Sequence, residues 1–296
     1  MRVKFNVDTK LIFQIGYPMD QGCAAFLHNA MYEYANVNAV CMTAEIPKGG
    51  LPAFLEAVKT LNADGFDITT PHKTDIIPYL DECDTASRMF KCVNHVKLRD
   101  GKLIGTGLDG VGMGMAIEHE IGSSIKGRRL LVIGAGAVAG LIAADLCGRG
   151  VSEVMIVNRT IEKAKYIADN LQTSYKVPCR YAELTNEVLN AFAPETDLVV
   201  QCTSLGKGNW KDFASRLSKS CVTADVLYPD TDFLRAARAQ GLCAIDGRGM
   251  LFFQQLAMME FRFGVKMQAD ALAEAEEAVE IAVAMRRLRN IRKGIQ

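Results

Sequence analysis

The apolar run Leu130-Leu131-Val132-Ile133 passes directly into Gly134-Ala135-Gly136-Ala137-Val138-Ala139, and then into a second apolar stretch from Gly140 to Leu146. No other part of the chain restricts its fold as strongly. Four consecutive apolar residues read as a strand buried on both faces, the condition of a parallel sheet covered by helices. The stretch after the glycines has the pattern of a helix. Gly134 permits the tight turn between the two, and Gly136 leaves backbone N–H groups at the helix start open to a pyrophosphate. Ala137 opens the helix beside it, and Ala139 is small enough for close helix–strand packing. A glycine triplet by itself says little, but between a buried strand and a helix it predicts a dinucleotide site on a Rossmann-like domain.

At 296 residues the chain has room for two domains, each with its own core. Lys and Arg (34) balance Asp and Glu (34), which removes any net electrostatic reason to bind nucleic acid or an acidic membrane. No apolar run approaches the roughly 18–20 residues that span a bilayer. The N-terminus lacks the succession of a signal peptide, so a cytoplasmic protein is expected. The nine cysteines form no CxxC pair, which argues against a disulfide framework. Cys41, Cys92, Cys147, Cys202, Cys221 and Cys243 sit in apolar surroundings and read as small core residues. His28, His72, His95 and His119 show no ligand spacing with cysteines or carboxylates, and no metal is expected.

Strand and helix patterns alternate along the chain, which predicts an α/β protein. Residues 4–15, 37–43, 65–69, 93–98 and 102–105 read as strands, the last two joined by the turn Arg99-Asp100-Gly101. Helices are predicted at 24–35, 51–61, 73–80 and 86–90. After a helix from Gly112 to Glu120, strand and helix patterns repeat through 153–157, 162–171, 198–201, 221–226, 233–240 and 244–245. Helices return at 251–261 and 271–291. This predicts two domains with a cleft between them: 1–112 together with 248–296, carrying a mixed sheet, and 113–247, the Rossmann-like nucleotide domain. The Arg and Lys residues at the end of the last helix complement a helix C-terminus.

About 24 residues beyond Gly134 the strand from Val154 to Val157 ends in Asn158-Arg159-Thr160. A site that prefers NAD places Asp or Glu there for the ribose hydroxyls, whereas Arg accommodates a 2′-phosphate. Lys163 adds a second cation one helical turn on, and Thr160 stands where a helix N-cap is expected. NADP is therefore favoured over NAD.

Four further stretches carry a specific signal: Gly65-Phe66-Asp67-Ile68-Thr69-Thr70-Pro71-His72-Lys73, Val93-Asn94, Gly107-Leu108-Asp109-Gly110, and Gly247-Arg248-Gly249-Met250-Leu251-Phe252-Phe253-Gln254. In this order around an NADP-type fold they resemble the shikimate dehydrogenase family, with its G-x-N-x-T-x-P-x-K, V-N, N-T-D-G, N-R-T and G-x-G-M-L-x-x-Q motifs. The resemblance runs from Gly16 to about Gly264. It implies reversible hydride transfer between NADP and a small cyclic hydroxy compound, with Lys73 as acid/base at the carbinol oxygen and Asp109 paired with it. It further implies that Thr69, Asn94, Tyr228 and Gln254 contact substrate. Thr203, Gly249 and Met250 match cofactor contacts. A lysine serves as acid/base near neutral pH only if burial weakens its hold on the proton, and a neighbouring carboxylate acts the other way.

The chain also departs from that pattern. Family members follow G-x-P with S-x-S-P-x-x-H-N, whose two hydroxyls bind the substrate carboxylate; here Gly22 and Ala24 occupy the serine positions and Ala25 the proline. Hydrogen bonds to charged groups contribute roughly 1.5–3 kcal/mol each, so losing two weakens carboxylate binding by about 10²- to 10⁴-fold. Asp67 replaces an asparagine of the motif and is expected to bring a second carboxylate near Lys73 in the substrate pocket. Phe252 and Phe253 make the approach to Gln254 bulkier.

These changes predict an NADP-dependent alcohol dehydrogenase that turns over shikimate poorly. The alternatives are a true shikimate or quinate dehydrogenase whose carboxylate is held by Gln21 or backbone amides, a folate-type dehydrogenase of related architecture, and a regulatory NADP-binding protein without turnover. The last has no need of Lys73, Asn94, Asp109 and Gln254 together. The expected partners are a small-molecule substrate and, at most, a second copy in a homodimer.

Overall fold

The structure, a computed structural model, describes residues 5–19, 24–203, 209–267 and 271–292. Among them the strands form two six-stranded sheets, and the chain divides into two compact units, Met1–Leu108 with Gln254–Gln296, and Asp109–Phe253.

The first unit begins β1 (Lys10–Gly16), α1 (Ala24–Tyr34), β2 (Ala39–Glu45), α2 (Leu51–Thr60), β3 (Gly65–Ile68) and α3 (His72–Asp75). It continues β4 (Glu82–Cys83), α4 (Thr85–Phe90), β5 (His95–Arg99) and β6 (Lys102–Thr106). Its sheet has the order β2-β1-β3-β5-β6-β4, with β1 parallel to β2 and β3, and β5 antiparallel to both β3 and β6. The sheet is mixed, as the sequence predicts. Asp100 and Gly101 both take positive φ (51° and 76°), the requirement of the two-residue hairpin between β5 and β6. Ile15, Phe54, Val58, Phe66, Ile68, Val93 and Val96 form the core on which α2 packs.

The second unit runs α5 (Asp109–Ile121), β7 (Arg129–Ile133), α6 (Ala137–Gly148), β8 (Glu153–Asn158), α7 (Ile161–Tyr175), β9 (Cys179–Glu183) and α8 (Asn186–Phe192). Then come β10 (Leu198–Gln201), α9 (Trp210–Arg216), β11 (Val222–Asp225), α10 (Asp232–Ala239), β12 (Cys243–Ile245) and α11 (Gly247–Phe263). All six strands are parallel in the order β12-β11-β10-β7-β8-β9. Numbered within this unit, that is the doubly wound order 3-2-1-4-5-6, reversing between β7 and β10. The four apolar residues of β7 are 2% exposed or less, which explains their unbroken hydrophobic run. The chain returns to the first unit within α11 and ends in α12 (Ala271–Arg292), which packs on α1.

Several boundaries differ from the sequence reading. The helix expected at 73–80 is a single turn, α3, followed by a 3-10 turn at Ile77–Tyr79, because Pro78 cannot continue an α-helix. α5 starts at Asp109 rather than Gly112, so the first unit ends at Leu108. α11 starts at Gly247 rather than Leu251; a Cβ on Gly247 would lie 2.3 Å from the Val226 carbonyl, so a close backbone approach requires glycine there. Four elements escaped the sequence pattern, the first of them β4, which at two residues is too short to show alternation. β9 is an edge strand with little buried surface, and α8 and α9 have seven residues each, too few for a 3.6-residue period to show. Cys41, Cys92, Cys147 and Cys221 are buried as expected, but Cys202 and Cys243 are only partly so, lying beyond the end of β10 and on the edge strand β12.

Candidate functional site

In the second unit the loops after β7 and β10 meet at the point where the strand order reverses. Gly134 has φ +108°, and a Cβ there would stand 2.8 Å from Thr203 Cγ2 and 3.2 Å from the Cys202 backbone. Both conformation and space therefore demand glycine. Gly136 is the N-cap of α6, no side chain caps that terminus, and a Cβ on Gly136 would meet nothing within 4 Å. Helix-start N–H groups facing open space are the physical basis of pyrophosphate binding, so this cradle, with Ala137 and Ala139 in the first turn of α6, fits a dinucleotide.

Asn158 ties the glycine loop to the end of β8: its Oδ1 accepts from Ala135 N (3.2 Å) and its Nδ2 donates to Thr160 O (2.9 Å). Arg159, Thr160 and Lys163 are exposed beyond it. Thr160 takes the N-cap position of α7, yet its hydroxyl makes no capping bond, contrary to the sequence expectation. Thr203 N donates to Gln201 Oε1 (2.5 Å), and its carbonyl accepts from Gln201 Nε2 (3.0 Å). Gly249 and Met250 are half-buried in the first turn of α11, and Tyr228 is half-buried after β11. Asp109 is buried at the start of α5. Phe252 and Phe253 are also buried, their rings 4.4 Å apart, with Phe253 edge-on to His119; they pack in the core rather than standing open beside Gln254.

The first unit holds the other candidates. Thr69 follows β3, and its Cγ2 would lie 2.4 Å from a Cβ on Gly16. Lys73 is half-buried on α3, where its carbonyl accepts from Val93 N (2.9 Å). Asn94 is buried and joined to several elements: its N donates to Thr106 O, its carbonyl accepts from Ile68 N, and its Oδ1 accepts from Leu108 N (2.9 Å). Asn94 Nδ2 donates to Gln254 Oε1 (3.1 Å), so residues 160 positions apart meet. Ala24 is the first residue of α1; Gln21 and Gly22 lie outside the described residues.

Beneath Gln254 lies a charged cluster that no spacing in the sequence reveals. Asp67 on β3 stands opposite His95 on β5 in the antiparallel register, and its Oδ1 accepts from His95 Nδ1 (2.5 Å). Arg262 from α11 donates Nη2 to Oδ1 (2.6 Å) and Nη1 to Oδ2 (3.2 Å), and His28 Nδ1 lies 2.9 Å from Oδ2. Arg262 Nη1 also reaches the Tyr32 hydroxyl (3.3 Å). Burial pushes the Asp67 carboxyl up, but Arg262, His28 and His95 more than offset this and hold it well below 3.8. Asp67 was expected to bring a carboxylate to Lys73; instead its two oxygens carry these three partners. The readable signal was the lone acid within the apolar strand Gly65–Ile68, since a charge there requires partners.

Donor atoms of His28, Cys41 and Asp67 lie within 4.8 Å of one another, a grouping that the sequence expectation of unrelated histidines did not foresee. Burial raises the Cys41 thiol well above its ordinary 9.0, and Arg262 already neutralises the carboxylate, so this is an ion-pair cluster rather than a cation cage.

Burial lowers the pKa of His28 below 6.5, with Asp67 opposing, so the folded protein holds the ring neutral while the unfolded chain protonates it below pH 6.5. The unfolded state then binds more protons, and stability falls as pH falls, by up to about 1.4 kcal/mol per pH unit. Urea unfolding between about pH 7 and pH 5.5 should show a shallower decline in His28→Gln than in wild type; equal slopes would refute this origin.

Residues 14–96 match the shikimate dehydrogenase substrate binding domain model, and residues 116–224 match the shikimate / quinate 5-dehydrogenase model. A shikimate dehydrogenase (NADP(+)) of Lysinibacillus sphaericus is 36% identical over 84% of this chain and 91% of its own length. The chain belongs to the shikimate dehydrogenase family. Its two-unit α/β architecture, with a substrate-binding and a Rossmann-like domain, is that family's fold. A shikimate dehydrogenase crystal structure in complex with NADP+ has TM-score 0.80 and 29% identity, covering 93% of this chain and 96% of that one. A ligand-free 5-ketofructose reductase of Gluconobacter sp. strain CHM43 has the same TM-score at 27% identity, covering 93% and 99%. Shikimate dehydrogenase folds therefore extend to a relative named for another substrate. Among the described residues no helix is long and apolar enough to cross a membrane.

Proposed function

We propose that this family member is an NADP-dependent oxidoreductase that interconverts a secondary alcohol and a ketone on a small cyclic polyhydroxylated compound, and that it turns over shikimate poorly. The observation that carries this reading is Ala24. As the first residue of α1 it offers only backbone where the family motif has a carboxylate-binding hydroxyl, while Lys73, Asn94, Asp109 and Gln254 are retained.

In this reading Gly134, Gly136, Ala137 and Ala139 hold the pyrophosphate, and Arg159, Thr160 and Lys163 take the 2′-phosphate, with Asn158 fixing the loop between them. Thr203, Gly249 and Met250 line the nicotinamide end. When bound, NADP supplies or accepts the hydride. Lys73 gives or takes the proton at the carbinol oxygen and Asp109 orients it. Thr69, Asn94, Gln254 and Tyr228 hold the substrate hydroxyls. Asp67 acts beneath this surface through its partners rather than by touching substrate.

The test is a steady-state screen of shikimate, quinate, aminoshikimate and simpler cyclic alcohols with NADP and with NAD, together with 5-ketofructose and NADPH. Slow turnover of shikimate with a faster neutral substrate supports the reading. Ordinary turnover of shikimate with a low-micromolar KM overturns it in favour of a true shikimate dehydrogenase, the activity for which the Lysinibacillus relative is named. For the cofactor, Arg159→Ser should raise the KM for NADP by about 10- to 100-fold, the loss of one charge-assisted contact, and leave that for NAD in place. Equal effects on both would remove Arg159 from the phosphate site.

A further inference from the structure

We infer that His95 is a positioning residue that locks the side-chain amide of Gln254 with its oxygen inward and its NH2 group toward the substrate. The inference deepens the proposed function and rests on its placement of Gln254 against the substrate.

The backbone N–H of Leu108 only donates, so the Asn94 atom 2.9 Å from it is the oxygen. The other end of the Asn94 amide is then NH2, and the Gln254 atom it meets at 3.1 Å is again an oxygen. The same Gln254 oxygen lies 3.3 Å from His95 Nε2, which must carry a proton to bond there. His95 Nδ1 faces the Asp67 carboxylate at 2.5 Å, an acceptor only, and so it too carries a proton. Both ring nitrogens of His95 donate. Asp67 holds the ring from behind and is itself clamped by Arg262 through both oxygens.

Both lone pairs of Gln254 Oε1 are thereby occupied, one by Asn94 and one by His95. Any contact the amide makes with a ligand is then a donation from N–H. At that contact the substrate must supply a lone pair, from a hydroxyl, ketone or other neutral or anionic oxygen, and an ammonium group is refused. A compound bearing an amine in place of that hydroxyl would leave two donors facing each other, the kind of mismatch that hydrogen-bonding sites reject most strongly.

The experiment uses the full-length, ligand-free enzyme labelled with 15N-histidine. The chain has four histidines, and loss of one ring signal in His95→Phe identifies the ring of interest. At neutral pH the long-range 1H–15N spectrum of wild type should show both His95 ring nitrogens protonated, a signature that packing alone would not set. An unprotonated Nε2 overturns the inference whatever the substrate. In Gln254→Glu an oxygen still faces His95 and Asn94, but the outward NH2 becomes an acceptor. For the best alcohol of the screen, its KM should rise about tenfold or more, with kcat within about threefold, the pattern of a lost ground-state contact. A wild-type KM in that variant, with the His95 ring still doubly protonated, overturns the placement of Gln254 against the substrate and leaves the state of His95 intact.

Discussion

Lys73→Met should lower kcat for the favoured alcohol by about 10²- to 10⁴-fold, the contribution of a positioned general acid/base, and leave NADP binding within about twofold. Methionine keeps the length and most of the apolar stem of lysine but has no proton to exchange. Lys73 belongs to a single helical turn whose backbone is secured independently: its carbonyl accepts from Val93 N, and Ile76 N returns to the His72 carbonyl. The substitution therefore removes chemistry without removing the turn. Fluorescence titration with NADPH checks the binding arm and stopped-flow hydride transfer the chemical one. A fall in kcat smaller than about tenfold would mean that another group handles the proton.

Arg262→Met should destabilise the first unit by about 3–5 kcal/mol, because it removes the guanidinium that bonds both oxygens of the buried Asp67 carboxylate and leaves only the His28 and His95 rings to meet it. Arg262 is 2% exposed and Asp67 4%, so water cannot compensate. Replacing both, as Asp67→Leu with Arg262→Met, should recover most of that loss, since the largest penalty is an unpaired buried charge rather than a missing bond. The single tryptophan, Trp210, is buried in the core of the second unit. Urea unfolding followed by tryptophan fluorescence should move little for the single variant, whereas circular dichroism should show the early loss. A double variant no more stable than Arg262→Met would reject the ion-pair account.

The second unit was readable from sequence because its signals are local. A strand buried on both faces shows as an unbroken apolar run, as in β7, and the glycines that follow are demanded by a φ of +108° and by a helix N-terminus left open. The weakly patterned pieces were missed for the same physical reason: β9 buries too little of its surface to alternate, and α8 is too short to show a period. In the first unit the motif around Thr69 and Lys73 was visible as residue types at fixed spacing. Asp67 was seen too, but its partners were not.

Sequence by itself determined the fold class and the dinucleotide loop, since each depends on periodicity or on residues close together in the chain, and its separated motifs carried the resemblance to the family. It also exposed the substituted segment at Gly22 and Ala24. Only the tertiary structure decided which groups face Asp67. His28, His95 and Arg262 come from α1, β5 and α11, and antiparallel register places His95 opposite Asp67 across the β3–β5 pair. A buried charge must be met by whatever the fold brings within about 3 Å, and nothing in the spacing of positions 28, 67, 95 and 262 encodes that meeting.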